Sequence, residues 1–158
     1  DSGVRDYRFV LAGGSDIGRT SCIDKIIKNS NGYPIKVLEN PSFRQIRDLY
    51  GVAKFFWSAS GYGVDETKEP QKVEHFGISL VEAMSAGCVP LAYDAGGHRE
   101  IIETKVNGYL WMSVTSLLNS TRELTSDSSL FRKIATLGKE SSKKYSYDNF
   151  EKQILEIL

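Results

Sequence analysis

A chain of 158 residues with 20 basic and 20 acidic side chains has room for one domain with a substantial core, and no net charge to draw nucleic acid or anionic lipid. Its two cysteines, Cys22 and Cys88, are too few and too isolated for a disulfide framework or a zinc site. They read as small core residues of a reduced, cytoplasmic protein.

No apolar run reaches the length of a membrane span, and no signal-peptide pattern stands at the N-terminus. The chain opens at Asp1, as an excised segment of a longer protein would.

In chain order the pattern alternates. Residues 7–12 are a short apolar run ending in Gly13-Gly14, a strand and its exit turn. Residues 17–27 are helical, with Ile23, Ile26 and Ile27 on one side, and 34–38 form a second strand. A helix is predicted over 41–52, with Pro41 near its first turn and Phe43, Ile46, Leu49 and Tyr50 as its buried stripe. Residues 53–58 are a third strand, and 61–74 a long charged loop. Residues 78–85 form a helix stopped by Gly87, followed by a fourth strand over 88–93 and a weaker fifth over 108–112. From Ser113 onward the pattern is helical and ends with Phe150, Ile154, Ile157 and Leu158 at helical spacing.

Strands and helices that alternate through short connections build a mostly parallel sheet of about five strands, covered on both faces: a three-layer α/β/α domain without internal boundary or repeats. In such folds ligands sit beyond the carboxyl ends of the strands. The 61–74 loop leaves the third strand at that edge, and loops of this length inside a compact domain are often functional.

Two glycine-bearing segments compete for a phosphate. Gly13-Gly14-Ser15-Asp16-Ile17-Gly18-Arg19-Thr20 comes close to the loop G-x-x-x-x-G-K-[ST], with Asp94 at the end of the fourth strand as its metal-binding partner. Against a nucleotide hydrolase, Arg19 stands where a compact lysine charge is needed, and Pro90 is awkward within a central strand. The dinucleotide-binding spacing G-x-G-x-x-G is absent, and a plain strand-to-helix turn accounts for these glycines.

The second segment is Glu74-His75-Phe76-Gly77-Ile78-Ser79-Leu80-Val81-Glu82-Ala83-Met84. Gly77 falls where a helix begins, and helix starts attract anions because their first N–H groups lack intrahelical partners. Glu74 in the loop and Glu82 on the helix flank that start as acceptors for hydroxyls, the outline of a nucleotide-sugar site. Spacing alone leaves a second reading open. Ser79-Leu80-Val81-Glu82 fits a capping box, in which Glu82 closes the helix start and Glu74 is one more solvated charge.

Glu74-His75-Phe76-Gly77-Ile78, Glu82-Ala83-Met84-Ser85-Ala86-Gly87-Cys88-Val89-Pro90 and Gly96-Gly97-His98-Arg99-Glu100-Ile101-Ile102 follow one another in this order. Together they closely resemble the signature of retaining glycosyltransferases of family 4 (glycosyl transferases group 1). The likeness extends to Leu49-Tyr50-Gly51-Val52-Ala53 and, more loosely, to the closing helix from Tyr145. The resemblance implies the GT-B architecture, two Rossmann-like domains facing across a cleft, of which this chain is the C-terminal, donor-binding domain. It implies that residues 1–158 are one nucleotide-sugar-binding domain, lacking the N-terminal acceptor domain and the first strand of its own domain.

Carried over, Glu74 binds hydroxyls of the transferred sugar and is the catalytic candidate, better read as a sugar-binding residue than as a covalent nucleophile. Glu82 holds the ribose, and the backbone around Gly77, Ile78 and Ser79 meets the diphosphate, with His75 and Phe76 beside it. Base recognition falls near Leu38 and Glu39, and Gly13, Gly14, Gly96 and Gly97 are further candidates, the last two as places where backbone passes close to the donor. His75 and His98 are weighed both as donor contacts and as polar surface. No metal or cofactor is expected, since a helix start can stabilise a departing diphosphate.

The family's Arg/Lys diphosphate clamp has no counterpart, because Arg5, Arg8 and Arg19 stand in other contexts. The expectation is therefore a hexosyltransferase as full-length protein and an inactive isolated chain. Its partners are a nucleotide-sugar donor and, through the missing domain, an acceptor glycan, lipid-linked sugar or small molecule, but no nucleic acid. It would work in the cytoplasm, at the inner membrane face for a lipid-linked acceptor. The alternative is a non-catalytic Rossmann-like module that binds nucleotide or protein.

Overall fold

The computed structural model describes residues 7–14 and 20–157; the segment 15–19 of the first glycine-rich loop, with Arg19, lies outside them, as do Arg5 and Leu158. The chain falls into two compact units, Asp1–Leu49 and Tyr50–Leu158. Among the described residues each unit holds one ladder, of two and of three strands, and within each ladder the strands pair in parallel.

In the first unit β1 (Phe9–Gly13) pairs with β2 (Ile35–Glu39), Phe9 opposite Ile35 and Gly13 opposite Glu39. Between them runs α1 (Thr20–Ser30), on which Ile26 and Ile27 are exposed rather than buried. Helix α2 (Phe43–Val52) starts two residues later than Pro41 suggests. The cause is a reciprocal cap: the Ser42 hydroxyl accepts from the Gln45 N–H at 3.3 Å, and the Gln45 side chain accepts from the Ser42 N–H at 2.8 Å. Phe43 thereby becomes the first helical residue and is 74% exposed, so it does not belong to a buried stripe.

The second unit holds the sheet β3-β4-β5, formed by Phe55–Ser58, Val89–Tyr93 and Tyr109–Trp111. Strand alternation sends successive β4 side chains to opposite faces. Val89 and Leu91 join Tyr109, Trp111, Leu117, Leu124 and Ile134 in one core. Ala92 joins Leu80, Met84, Ile101 and Ile102 in the other. The first core is covered by α5 (Val114–Ser126) and α6 (Ser128–Ser142), the second by α3 (Ile78–Ala86) and the short α4 (His98–Ile101), which makes the Rossmann-like α/β/α layering. Caps delimit α5 and α6: Ser113 and Ser116 form a capping box, and the Asp127 carboxylate accepts from the Ser129 and Leu130 N–H groups. In α7 (Tyr147–Ile157) the apolar residues Phe150, Ile154 and Ile157 are exposed.

Pro90 does lie in the central strand, opposite Phe56, against the expectation from its missing N–H. The Val89 N–H bonds the Lys54 carbonyl on the β3 side, so the Pro90 nitrogen faces the other side. There the β5 ladder begins only one residue later, at Leu91 opposite Tyr109, and no donor is needed. The residue beside Pro90 is Gly108, where an added Cβ would lie 2.6 Å from the proline ring. Cys88 is buried as expected, its thiol donating to the Tyr50 and Ala53 carbonyls at 3.4 and 3.3 Å.

Candidate functional site

The site is built where the chain leaves β3, crosses the 61–74 loop and enters α3. Because β3 and β4 are parallel, the connecting helix must start at the carboxyl end of β3, so its N-terminus lies at the edge where such folds bind ligands. Gly77 is the N-cap, in left-handed conformation at φ 107°, with no side chain capping the helix. The first intrahelical bonds run from the Leu80 and Val81 N–H groups to the Gly77 carbonyl, at 3.0 and 3.1 Å. The N–H groups of Ile78 and Ser79 precede them and are free of the helix ladder.

This geometry excludes the capping box at Ser79–Glu82. Ser79 is the second helical residue and Glu82 the fifth, already in the second turn, so neither can close the start. Leu80, Ala83 and Met84 turn to the core. Ile78 and Ser79 are exposed and Glu82 is half-buried. On the other side of the start Glu74 is half-buried, its Cγ 3.6 Å from the position of a Cβ on Gly77. Glu74 thus stands beside the helix start from the loop, and Glu82 belongs to the second turn of the same helix.

Next to Glu74, His75 is exposed. Phe76 packs edge-on against Tyr145, ring centroids 5.2 Å apart. Gly96 and Gly97 serve this loop directly. A Cβ on Gly96 would stand 2.3 Å from the Glu74 carbonyl oxygen, and one on Gly97 2.5 Å from that of His75. The close approach the two glycines permit is that of the 74–76 backbone, and the Gly97 N–H donates to the Glu74 carbonyl at 2.7 Å.

His98 is neither a loop residue nor polar surface. It is 1% exposed, and its Nδ1 lies 2.8 Å from the Tyr93 carbonyl, which can only accept, so Nδ1 carries a proton. Nε2 meets the Ser58 hydroxyl at 3.1 Å. The ring thus ties the carboxyl ends of β3 and β4 together beneath the glycine turn.

Several residues near the site make contacts that the sequence does not announce. Tyr50, in the last turn of α2, is hydrogen-bonded to Ser79 and stands near Glu82; burial first, and the Glu82 charge with it, raise its hydroxyl above the usual range. Arg99 donates from Nε to Asp94 at 2.6 Å and from Nη1 to Glu66 at 2.7 Å. Its guanidinium holds the Glu66 carboxyl below the ordinary range. Asp94, the would-be metal partner of the first loop, is thereby occupied by arginine. Among the described residues no three His, Cys, Asp or Glu side chains gather in a way that could hold a metal, and no helix is long and apolar enough to cross a membrane.

The candidates Gly13, Gly14 and Leu38 lie in the first unit. Gly13 and Leu38 are at the carboxyl ends of β1 and β2, where the Asn40 N–H donates to the Gly13 carbonyl at 2.9 Å. Gly14 follows, close to the Asn40 side chain.

A Rossmann-like domain with a helix start that no side chain caps, beside a loop carboxylate, is the class that fold and site define. The chain belongs to the glycosyl transferases group 1, whose family model matches residues 3–153. It is 28% identical over 86 residues to a GDP-Man:Man(3)GlcNAc(2)-PP-Dol alpha-1,2-mannosyltransferase of Dictyostelium discoideum, a match covering 54% of this chain and 17% of that protein. Its fold is shared with HepE of Anabaena, solved in complex with UDP-glucose (TM-score 0.77, 22% identity, 95% of this chain and 40% of that one). It is shared also with the sucrose-phosphate synthase of Thermosynechococcus elongatus (TM-score 0.77, 19% identity, 99% of this chain and 39% of that one). The fold is that of the C-terminal, Rossmann-like half of GT-B proteins, and the chain spans well under half the length of these relatives.

Proposed function

We propose that this chain is the donor-binding domain of a retaining glycosyltransferase of family 4, a hexosyltransferase in its full-length form. The observation that carries the reading is the start of α3 at Gly77, which no side chain caps, with Glu74 beside it and Glu82 in the second turn. The Ile78 and Ser79 N–H groups point where a diphosphate would sit, and the helix dipole would stabilise negative charge there by about 0.3–1 kcal/mol. As the sugar departs, charge grows on the leaving diphosphate, so donors already in place favour the transition state over the ground state.

Ionised carboxylates accept hydrogen bonds, and vicinal hydroxyls supply them. Glu82 on the helix would hold the ribose, and Glu74 in the loop would hold the transferred sugar beside its reacting carbon. His75, exposed next to Glu74, is placed to meet the donor, while Phe76 supports the loop from Tyr145. Leu38 at the end of β2, with Gly13 and Gly14, is the candidate for the base on the family resemblance alone. The chemistry asks for no metal or cofactor.

A nucleotide-sugar is the donor partner. The acceptor, a glycan, lipid-linked sugar or small molecule, would bind a domain outside this chain, which alone would be inactive. The activity of the Dictyostelium relative makes GDP-mannose the first donor to try and a lipid-linked sugar the first acceptor; HepE makes UDP-glucose the second donor.

The test is ligand-observed NMR on the 158-residue chain with UDP-, GDP- and ADP-sugars, repeated with Glu82→Ala and Glu74→Ala. Selective binding of one nucleotide, weakened at least tenfold by Glu82→Ala in a folded protein, is the expected result. Binding of nucleotide untouched by either substitution would support the non-catalytic module instead.

A further inference from the structure

We propose that Arg99 is a positioning residue which, by clamping the 61–74 loop through Glu66, sets where Glu74 stands; the inference rests on the donor-site reading of Glu74. The loop is held at two points by consecutive N–H groups of one turn. The Gly96 N–H donates to the Glu66 carboxylate at 3.2 Å, and the Gly97 N–H to the Glu74 carbonyl at 2.7 Å. The second Glu66 oxygen accepts from Arg99 Nη1 at 2.7 Å. Arg99 is itself fixed to the end of β4, donating from Nε to the Asp94 carboxylate at 2.6 Å and from Nη2 to the Asp94 carbonyl at 2.7 Å. Three donors of one planar group are thus spent on joining β4, the turn and the loop, a geometry lysine cannot reproduce.

The loop has little else to fix its course. At its start Tyr62 packs edge-on against Tyr93, centroids 5.3 Å apart. At its end Val73 fills the space over Gly61 and Gly96. Between these lie Asp65, Thr67, Lys68, Glu69 and Lys72, which bond to one another within the loop. The Glu66–Arg99 bridge is the cross-link in the middle.

Magnitude separates positioning from stability. Arg99 and Glu66 side chains are 48% and 36% exposed, and ion pairs so exposed add little to folding. Losing this one should move the melting temperature by no more than about 2 °C. A carboxylate shifted by an ångström loses its hydroxyl partners, and misplacement of that size costs up to about a hundredfold.

The experiment compares the wild-type chain with Arg99→Lys, Glu66→Gln and Glu74→Ala. Two readouts are taken: affinity for a nucleoside diphosphate and its sugar conjugate (GDP with GDP-mannose, UDP with UDP-glucose), and amide shifts with hydrogen exchange at Glu74, Gly96 and Gly97. Expected are unchanged affinity for the free diphosphate and a roughly tenfold loss specific to the sugar conjugate in all three variants. Arg99→Lys and Glu66→Gln should also speed exchange at Gly96 and Gly97, and Glu74→Ala combined with Arg99→Lys should lose little more than Glu74→Ala alone. Unmoved Glu74 and Gly97 amides in Arg99→Lys would overturn the clamp whatever the ligands do. Moved amides with no sugar-specific loss, in a chain where Glu74→Ala does show one, would overturn its role in donor binding. A chain that binds no nucleotide sugar would instead overturn the donor-site reading, and the amides would still decide the clamp.

Discussion

The N–H of Gly97 donates to the carbonyl of Glu74 across 2.7 Å, so the glycine pair after β4 and the glutamate before α3 are one structural unit. The contact is possible because Gly97 has no side chain. A Cβ there would meet the His75 carbonyl oxygen at 2.5 Å and the Phe76 Cα at 2.9 Å, both backbone atoms that cannot swing aside.

Gly97→Ala should therefore destabilise the protein by about 1–3 kcal/mol, the ordinary cost of overpacking, and displace Glu74. Gly51→Ala is the contrast, since it lies in α2 with nothing within 4 Å of an added Cβ. That substitution should stabilise by about 0.4–1 kcal/mol. Urea denaturation of the two variants checks both signs, and equal effects would refute the packing argument.

The two Ser-x-x segments at helix starts should behave differently. Ser113 accepts from the Ser116 N–H at 3.1 Å, so Ser113→Ala should cost about 1 kcal/mol. Glu82 caps nothing, and Glu82→Ala should stay within about 0.5 kcal/mol of wild type. Thermal melts in parallel would expose a hidden capping role for Glu82 as a loss comparable to that of Ser113→Ala.

His98 is buried with both ring nitrogens engaged. Ser58→Ala removes the hydroxyl at Nε2 and leaves a buried polar atom without its partner, which should cost about 1–3 kcal/mol. His98→Leu should cost more, because it strands the Ser58 hydroxyl, takes one of two donors from the Tyr93 carbonyl, which keeps the Ala95 N–H, and leaves a different shape in a buried space. Denaturant titration measures each; a neutral His98→Leu would mean the ring serves only to fill space.

Burial raises the Cys88 thiol from its ordinary 9.0 to about 11. Between those values the unfolded chain has released a proton that the folded chain still holds, so stability is intact below pH 9 and falls as pH rises toward 11. Unfolding followed across that window should show the decline, and Cys88→Ala should reduce it without abolishing it, since burial also raises the Tyr50 and Tyr109 hydroxyls. Iodoacetamide at pH 8 should leave Cys88 unmodified until the protein unfolds.

The legible part of the fold was its alternation. Residues 88–93 and 78–85 stood out because an apolar run between glycines has few other solutions, and the structure puts β4 and α3 within a residue of those limits. Boundaries set by side-chain capping were harder: Pro41 marked a start that the Ser42–Gln45 pair moved to Phe43. Pro90 looked unfit for a central strand because the sequence does not show which neighbour begins late. The motif around Glu74 and Glu82 was legible as a linear pattern, but whether Glu82 capped its helix depended on Gly77 taking the cap position.

The sequence by itself determined an α/β domain of parallel strands, the place of its helix start, and the two carboxylates on either side, since periodicity, glycine placement and charge are local properties. Tertiary structure alone decided what holds those groups in place. Glu66 and Arg99 are 33 residues apart, Ser58 and His98 are 40, and Gly97 reaches Glu74 only through a turn. Such pairs leave no periodic trace, because contact between distant segments depends on the path of the whole chain rather than on the residues between them.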